Sequence, residues 1–238
     1  MYILERLNMT WETVKRGDSF KGSNRPFISI ASDHISFNTL FTKIASIDNS
    51  YNVTVYADSE NLKMGFEFHK DERPNSLTLT QASSATRGVK RSGVFCAAQG
   101  VLNQYKWIKG ITKLSTQDRR FYDPKQEQGK WTIQLCPAFE EKRARESENI
   151  PQDAIGIYRY VTDNGEIVYI GRGPINGRLK SPDRNDWIFD VIEYSVVKNP
   201  DMQVKWEDYW IEKYKEQHDG KKPHYNKVSG FGNNHSND

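Results

Sequence analysis

Apolar positions along residues 35–68 fall into two groups, ISFNTLFTKI and VTVYADSENLKMGFEF, divided by a polar break. The first group predicts a strand followed by a short amphipathic segment. The second alternates around an acidic turn and predicts a two-stranded hairpin. Residues 94–135 repeat that order, with VFCAAQGVLNQYKWIKGI ahead of RRFYDPKQEQGKWTIQL, and Tyr56 and Tyr122 each stand just before an acidic turn. A period of about 66 residues is too long for a solenoid unit and fits two copies of one strand-helix-hairpin module.

A different pattern begins near residue 154. In GIYRYVTDNGEIVYIG, residues 156–171, alternation flanks Asn164-Gly165, the pair that favours a two-residue type I′ turn. With that turn Val161 faces Val168, Tyr160 faces Tyr169 and Tyr158 faces Gly171, so the phenols share one face of the hairpin. The glycine is expected to leave open space beside Tyr158, wide enough for a phosphate. The following RGPINGRLKS carries Arg172 at the strand exit and Arg178 on a short helix, and guanidinium forks match phosphate oxygens. Farther on, VKWEDYWIEKYKEQHDGKK predicts a helix from Val204 to His218, stopped by Gly220, with Trp206, Trp210, Ile211 and Tyr214 as its apolar stripe. Glu207 falls on the inward edge of that stripe, where a carboxylate is costly unless paired with a cation. Asn226 follows a tyrosine in HYNKVSGFG.

The charged stretch 137–153, closed by Pro151, reads as a linker, in whole or part a short helix, between a domain at 1–136 and another at 154–232, with a polar tail at 233–238. A chain of 238 residues has room for both. Apolar residues at 36% and charged residues at 27% suit a soluble globular protein. No apolar run approaches the roughly 20 residues that span a bilayer. The first residues lack a secretory pattern, so a cytoplasmic protein with no membrane partner is expected. Cys96 and Cys136 have no metal-ligand spacing and read as small core residues.

Charge is uneven. Residues 1–150 hold 22 basic against 17 acidic side chains and residues 151–238 hold 12 against 14. A basic half suits a polyanion partner, and it equally suits an ordinary solvated surface. Arg87, Lys90 and Arg91 are spaced through QASSATRGVKRSG, a pliable loop suited to phosphate oxygens or simply to solvent. Lys106, Lys109, Arg119 and Arg120 extend the positive side of the domain.

The ordered set of GIY at 156–158, YIG at 169–171, Arg178, Glu207 in WEDYWIEKY and Asn226 in YNKVSGFG resembles the GIY-YIG nuclease superfamily over about a third of the chain. The resemblance implies a nuclease domain whose small mixed sheet is flanked by helices; with the β-rich amino-terminal domain that the pattern predicts, expected to recognise DNA, the chain reads as α+β. The order of the amino-terminal modules also resembles the swapped-hairpin folds of bacterial transition-state regulators. The nuclease resemblance implies hydrolysis of double-stranded DNA with Mg²⁺ or Mn²⁺ held by Glu207. Arg178 would steady a non-bridging oxygen, with Arg172 as a nearby cation. Tyr158 is the candidate base with Tyr169 orienting it or the water, and Asn226 positions the tyrosine or its backbone. A free phenol, pKa about 10, is ionised only about one part in a thousand at neutral pH, so a hydroxide on the metal is the alternative base. A histidine that some members place four residues after the arginine is absent, because Pro182 stands there; His218 or His224 are the candidates to replace it. The recogniser-first order suggests a restriction-type or phage-borne enzyme. A repair or structure-specific nuclease, or a DNA-binding regulator with an inactive fold, are the other readings. One module makes one nick, so cutting a symmetric site calls for a homodimer or two successive nicks.

Overall fold

In the computed structural model, which describes residues 24–81, 93–146 and 149–226, the protein is α+β, with three antiparallel sheets and few helices. The amino-terminal part runs β1 (Phe27–Ile30), β2 (His34–Phe37), α1 (Thr39–Ala45), β3 (Asn52–Asp58), β4 (Lys63–His69), β5 (Ser76–Thr78) and β6 (Thr80–Gln81). After a gap in the described residues come β7 (Val94–Ala97), α2 (Gln99–Leu102), α3 (Lys106–Ile111), β8 (Arg120–Tyr122), β9 (Lys125–Glu127) and β10 (Lys130–Gln134). Two five-stranded sheets result, ordered β6-β7-β2-β1-β8 and β5-β3-β4-β10-β9. The stretches with matching patterns thus both give strand, helix, then hairpin. Their corresponding strands pair antiparallel, Ile35 opposite Cys96 and Met64 opposite Ile133. Alternation places Ile28, Ile30, Ile35 and Phe37 in one core with Phe41 and Phe66. Cys96 and Cys136 belong to that core, and burial pushes each thiol up to about 12.

The stretch expected to be a linker is built into the fold instead. Its β11 (Glu141–Ala144) pairs with β14 (Val191–Val196), Glu141 opposite Tyr194. Its charges suit an edge strand because each finds a partner: Glu141 meets Arg143 at 3.0 Å and Lys106 at 2.5 Å, and Lys142 meets Glu193 at 3.4 Å. Upstream, the Phe139 amide donates to Ser195 Oγ at 2.8 Å and the Trp210 indole to the Pro137 carbonyl at 3.0 Å.

With β12 (Ile155–Val161) and β13 (Ile167–Pro174) the third sheet has the order β11-β14-β12-β13. Every pairing in it is antiparallel, so the expected mixed sheet is corrected; β13 and β14 flank β12, and the connection between them crosses over it to bring β14 in antiparallel. Tyr158 does face Gly171 and Tyr160 does face Tyr169. The turn differs: Gly165, at φ +88°, donates to the Thr162 carbonyl, and Thr162 pairs with Glu166, leaving a three-residue loop. Val161 then faces Ile167, and a bulge that leaves Val168 unpaired restores the register at the tyrosines.

Helix α4 (Ile175–Leu179) follows β13, and α5 (Pro200–Gln217) crosses the sheet. The helix starts ahead of Val204 because Asn199 caps it, accepting from the amides of Asp201 and Met202, with Pro200 in its first turn. Its stripe of Trp206, Trp210 and Tyr214 packs with Ile157 and Ile170 of the third sheet and with the amino-terminal core. Trp210 lies 5.1 Å from Phe139, and Lys213 pairs with Asp118. One helix is therefore shared by both halves of the chain. Among the described residues no helix is long and apolar enough to cross a membrane.

Candidate active site

Gly156 opens β12 where the chain runs tight against β14: a Cβ there would collide with the Ser195 carbonyl oxygen. Two residues later Tyr158 points to the opposite face from Ile157, into a second core with Tyr160, Ile192 and Tyr194. Tyr169 stands across from Tyr160, its ring 5.5 Å away and 6.0 Å from that of Tyr158. Into this group reaches Arg184, from a 3₁₀ turn at Pro182–Arg184. Its Nη1 donates to Tyr158 at 3.0 Å and Tyr160 at 2.7 Å, and its Nη2 to Tyr169 at 3.4 Å. The residue is 5% exposed, makes no ion pair among the described residues, and has an Nε with no hydrogen-bond partner.

Two consequences follow for the tyrosines. The space beside Gly171 is filled, not open: a Cβ there would lie 2.5 Å from Tyr169 Cε1, 2.8 Å from the Tyr169 hydroxyl and 2.9 Å from the Tyr158 hydroxyl. Glycine is needed because two phenols converge over it. Burial, reinforced by the neighbouring phenols, also pushes Tyr158 well above the usual tyrosine range, and the charge of Arg184 only partly offsets this. Tyr160 is pushed by burial up to about 12. Tyr158 is fully buried; it is a neutral, anchored phenol and not an accessible base.

On the other face, the Arg172 Nε lies 3.0 Å from Glu207 Oε2, although its N–H is not aimed to form a hydrogen bond. The Glu207 side chain is 20% exposed. Burial raises its pKa, with Arg172 and Arg178 pulling it back and Asp208 adding to the rise. Arg178 is exposed on α4, yet its charge is felt both at Glu207 and at Tyr160. The phenols and the carboxylate therefore occupy opposite faces of the sheet, with the charge of Arg178 reaching both Glu207 and Tyr160. Alternation sends Arg172, and with it the contact to Glu207, to the face opposite Tyr169 and Gly171.

Asn226 binds that edge. Its Oδ1 accepts from the Ile170 amide at 2.8 Å and its Nδ2 donates to the Ile170 carbonyl at 2.7 Å, as a neighbouring strand would. The preceding Tyr225 stacks on Trp187 at 4.3 Å and accepts from the Ile188 amide at 2.9 Å. His218 stacks on Tyr214 at 3.8 Å and contacts its carbonyl, away from the phenols; His224 is exposed against Tyr225.

Of the cations expected to meet DNA, Arg87, Lys90 and Arg91 lie outside the described residues. Lys106 is engaged by Glu141, and Lys109 is exposed. Arg119 bonds within its own fold, to the Ile30 carbonyl at 3.5 Å and Thr116 Oγ1 at 3.4 Å, whereas Arg120 lines a cleft. Arg184 was not anticipated, because it falls six residues beyond Arg178 and outside the motif. The signal that could have found it is the need of two buried phenols for a donor.

A divalent ion fits Glu207 on one ground: the carboxylate is largely withdrawn from water and has a single, poorly aligned cation contact, and Mg²⁺ binds through one or two carboxylates while keeping several waters. No group of three or more His, Cys, Asp or Glu side chains forms a denser metal cage among the described residues. Comparison of the chain with family models, with curated proteins and with solved structures gives no match.

Proposed function

We propose that the chain is a GIY-YIG endodeoxyribonuclease that hydrolyses phosphodiester bonds at chosen sites in double-stranded DNA, in the manner of a restriction enzyme. The observation that carries the reading is the convergence of the Tyr158 and Tyr169 hydroxyls over Gly171 on an edge strand whose next residue, Arg172, meets Glu207. Motif residues far apart in sequence thereby stand at neighbouring positions of one strand, the phenols on one face and Arg172 with Glu207 on the other.

Hydrolysis requires in-line attack by water, neutralisation of the equatorial charge and departure of an oxygen. Glu207 is the residue that would hold Mg²⁺ or Mn²⁺, which when bound supplies Lewis-acid polarisation of the phosphate and of the leaving oxygen. Arg172 offsets part of the Glu207 charge from the strand side. Arg178, exposed and near both groups, takes a non-bridging oxygen and steadies the charge that grows there. Tyr169, the least buried of the three phenols, orients the attacking water. Tyr158 and Tyr160, held by Arg184, fix the position of Tyr169 without changing charge. Asn226 keeps the edge strand in register. The duplicated amino-terminal modules supply recognition, and two chains or two visits complete a double-strand cut.

Purified protein incubated with plasmid and phage DNA and Mg²⁺ tests the reading. Discrete fragments are expected. A smear would instead indicate a structure-dependent or repair nuclease, and binding without cutting would indicate a regulator.

A further inference from the structure

A cleft of about 600 Å³ opens between the amino-terminal sheets and α5. Three carboxylates line it and each is already held: Asp118 by Lys213, Glu127 by Lys63 at 2.9 Å, and Asp123 by Arg25. Three further cations line the same walls, Arg120, Lys125 and Lys205, and these make no ion pair among the described residues. Arg120 donates to the neutral Gln117 side chain at 3.1 Å and rests on Phe27. Lys205 lies 4.7 Å from the ring of Trp206, and Lys125 is exposed. Cations left over in a concave wall backed by aromatic rings focus positive potential into the cleft. The volume admits a stretch of one strand's backbone and not the full width of a duplex.

We propose that this cleft binds DNA through the phosphates of one strand, with Arg120, Lys125 and Lys205 as the contacts. The identity of the polyanion rests on the nuclease reading; the existence of a phosphate site rests on the cleft itself. Lys205 and Glu207 stand two residues apart on α5, so a strand clamped at Lys205 also fixes the helix that carries Glu207. The same helix buries Trp206 between them, against the amino-terminal core. Grip on DNA by the first half of the chain is in this way tied to placement of the carboxylate in the second.

The test is binding without divalent metal, so that nothing is cut. Fluorescence anisotropy of a labelled mixed-sequence duplex is followed across a salt series for the wild type and for the pair Lys125→Ala with Lys205→Ala. Lys43→Ala with Lys113→Ala, exposed cations outside the cleft, serves as control. Each phosphate contact contributes about 0.9 to the slope of log K against log salt, so the cleft pair should flatten it by about 2, with weaker binding to every sequence. The control pair should leave it unchanged. Charge reversal, Lys125→Glu with Lys205→Glu, should weaken binding further, and circular dichroism verifies that each variant is folded. An unchanged slope in both cleft pairs, or an equal change in the control, overturns the proposal. Cutting with Mg²⁺ is scored separately: cleft-dependent binding with no cutting refutes the nuclease reading and upholds the cleft, whereas cutting with a cleft-independent slope refutes the cleft alone.

Discussion

Asn226→Ala removes both hydrogen bonds that the free edge of β13 makes at Ile170. A hydrogen bond of this kind contributes about 0.5–1.5 kcal/mol net, so the pair is worth about 1–3 kcal/mol. The site is half-buried, and water can take over part of the lost bonding, which sets the expectation at about 1–2 kcal/mol. For a chain of this size that lowers Tm by about 2–8 °C. Asn226→Asp keeps an acceptor for the Ile170 amide but turns a carboxylate oxygen toward the Ile170 carbonyl, so it should be no more stable than the alanine variant. Thermal unfolding gives the size of the effect and hydrogen exchange gives its location. The Ile170 amide points away from β12 and is protected by Asn226, so its exchange should accelerate in the alanine variant and less in the aspartate variant, while the amides shared by β12 and β14 stay protected. Unchanged Tm together with unchanged exchange at Ile170 would refute the strand-mimicking role.

Arg184→Leu strips the donor from two buried phenols and should cost about 2–6 kcal/mol, at about 1–3 kcal/mol for each group left without a partner; denaturant unfolding measures it, and a variant as stable as the wild type would show that the guanidinium's own desolvation outweighs its bonds. Burial raises the pKa of Glu207, so its proton is held more tightly in the folded than in the unfolded chain. Without divalent metal, its contribution to stability is therefore lost as pH rises through the folded value, which lies above the ordinary carboxyl value of 4.5. The difference in stability between the wild type and Glu207→Gln across pH isolates this group from Glu140, whose pKa burial also raises. A stability difference that does not change with pH above the ordinary value would contradict the buried placement of Glu207.

Much of the fold is legible where pattern is strong. Alternation around Asn164-Gly165 places the two tyrosine levels correctly, although the loop is one residue longer than the pair suggests; the bulge at Val168 cancels that slip, and neither feature leaves a mark in hydrophobic order. The start of α5 was readable in Asn199-Pro200-Asp201, a cap followed by proline, but the apolar stripe that first draws attention begins later. β11 was hidden because its stability comes from ion pairs across an edge, so Glu141-Lys142-Arg143 reads as solvated linker. The site was legible as a set of residue types and not as an arrangement. Opposite faces for Arg172 and Gly171 follow from strand parity, but the filling of the glycine gap by phenols and the arrival of Arg184 depend on long-range packing.

Cleavage of plasmid DNA in Mg²⁺ by the wild type and by Glu207→Gln, with binding to the same DNA measured in parallel, tests the central claim most directly. The account predicts discrete fragments from the wild type, a loss of about 100-fold or more in the variant, and binding that is nearly unchanged. Full cutting by Glu207→Gln would contradict it.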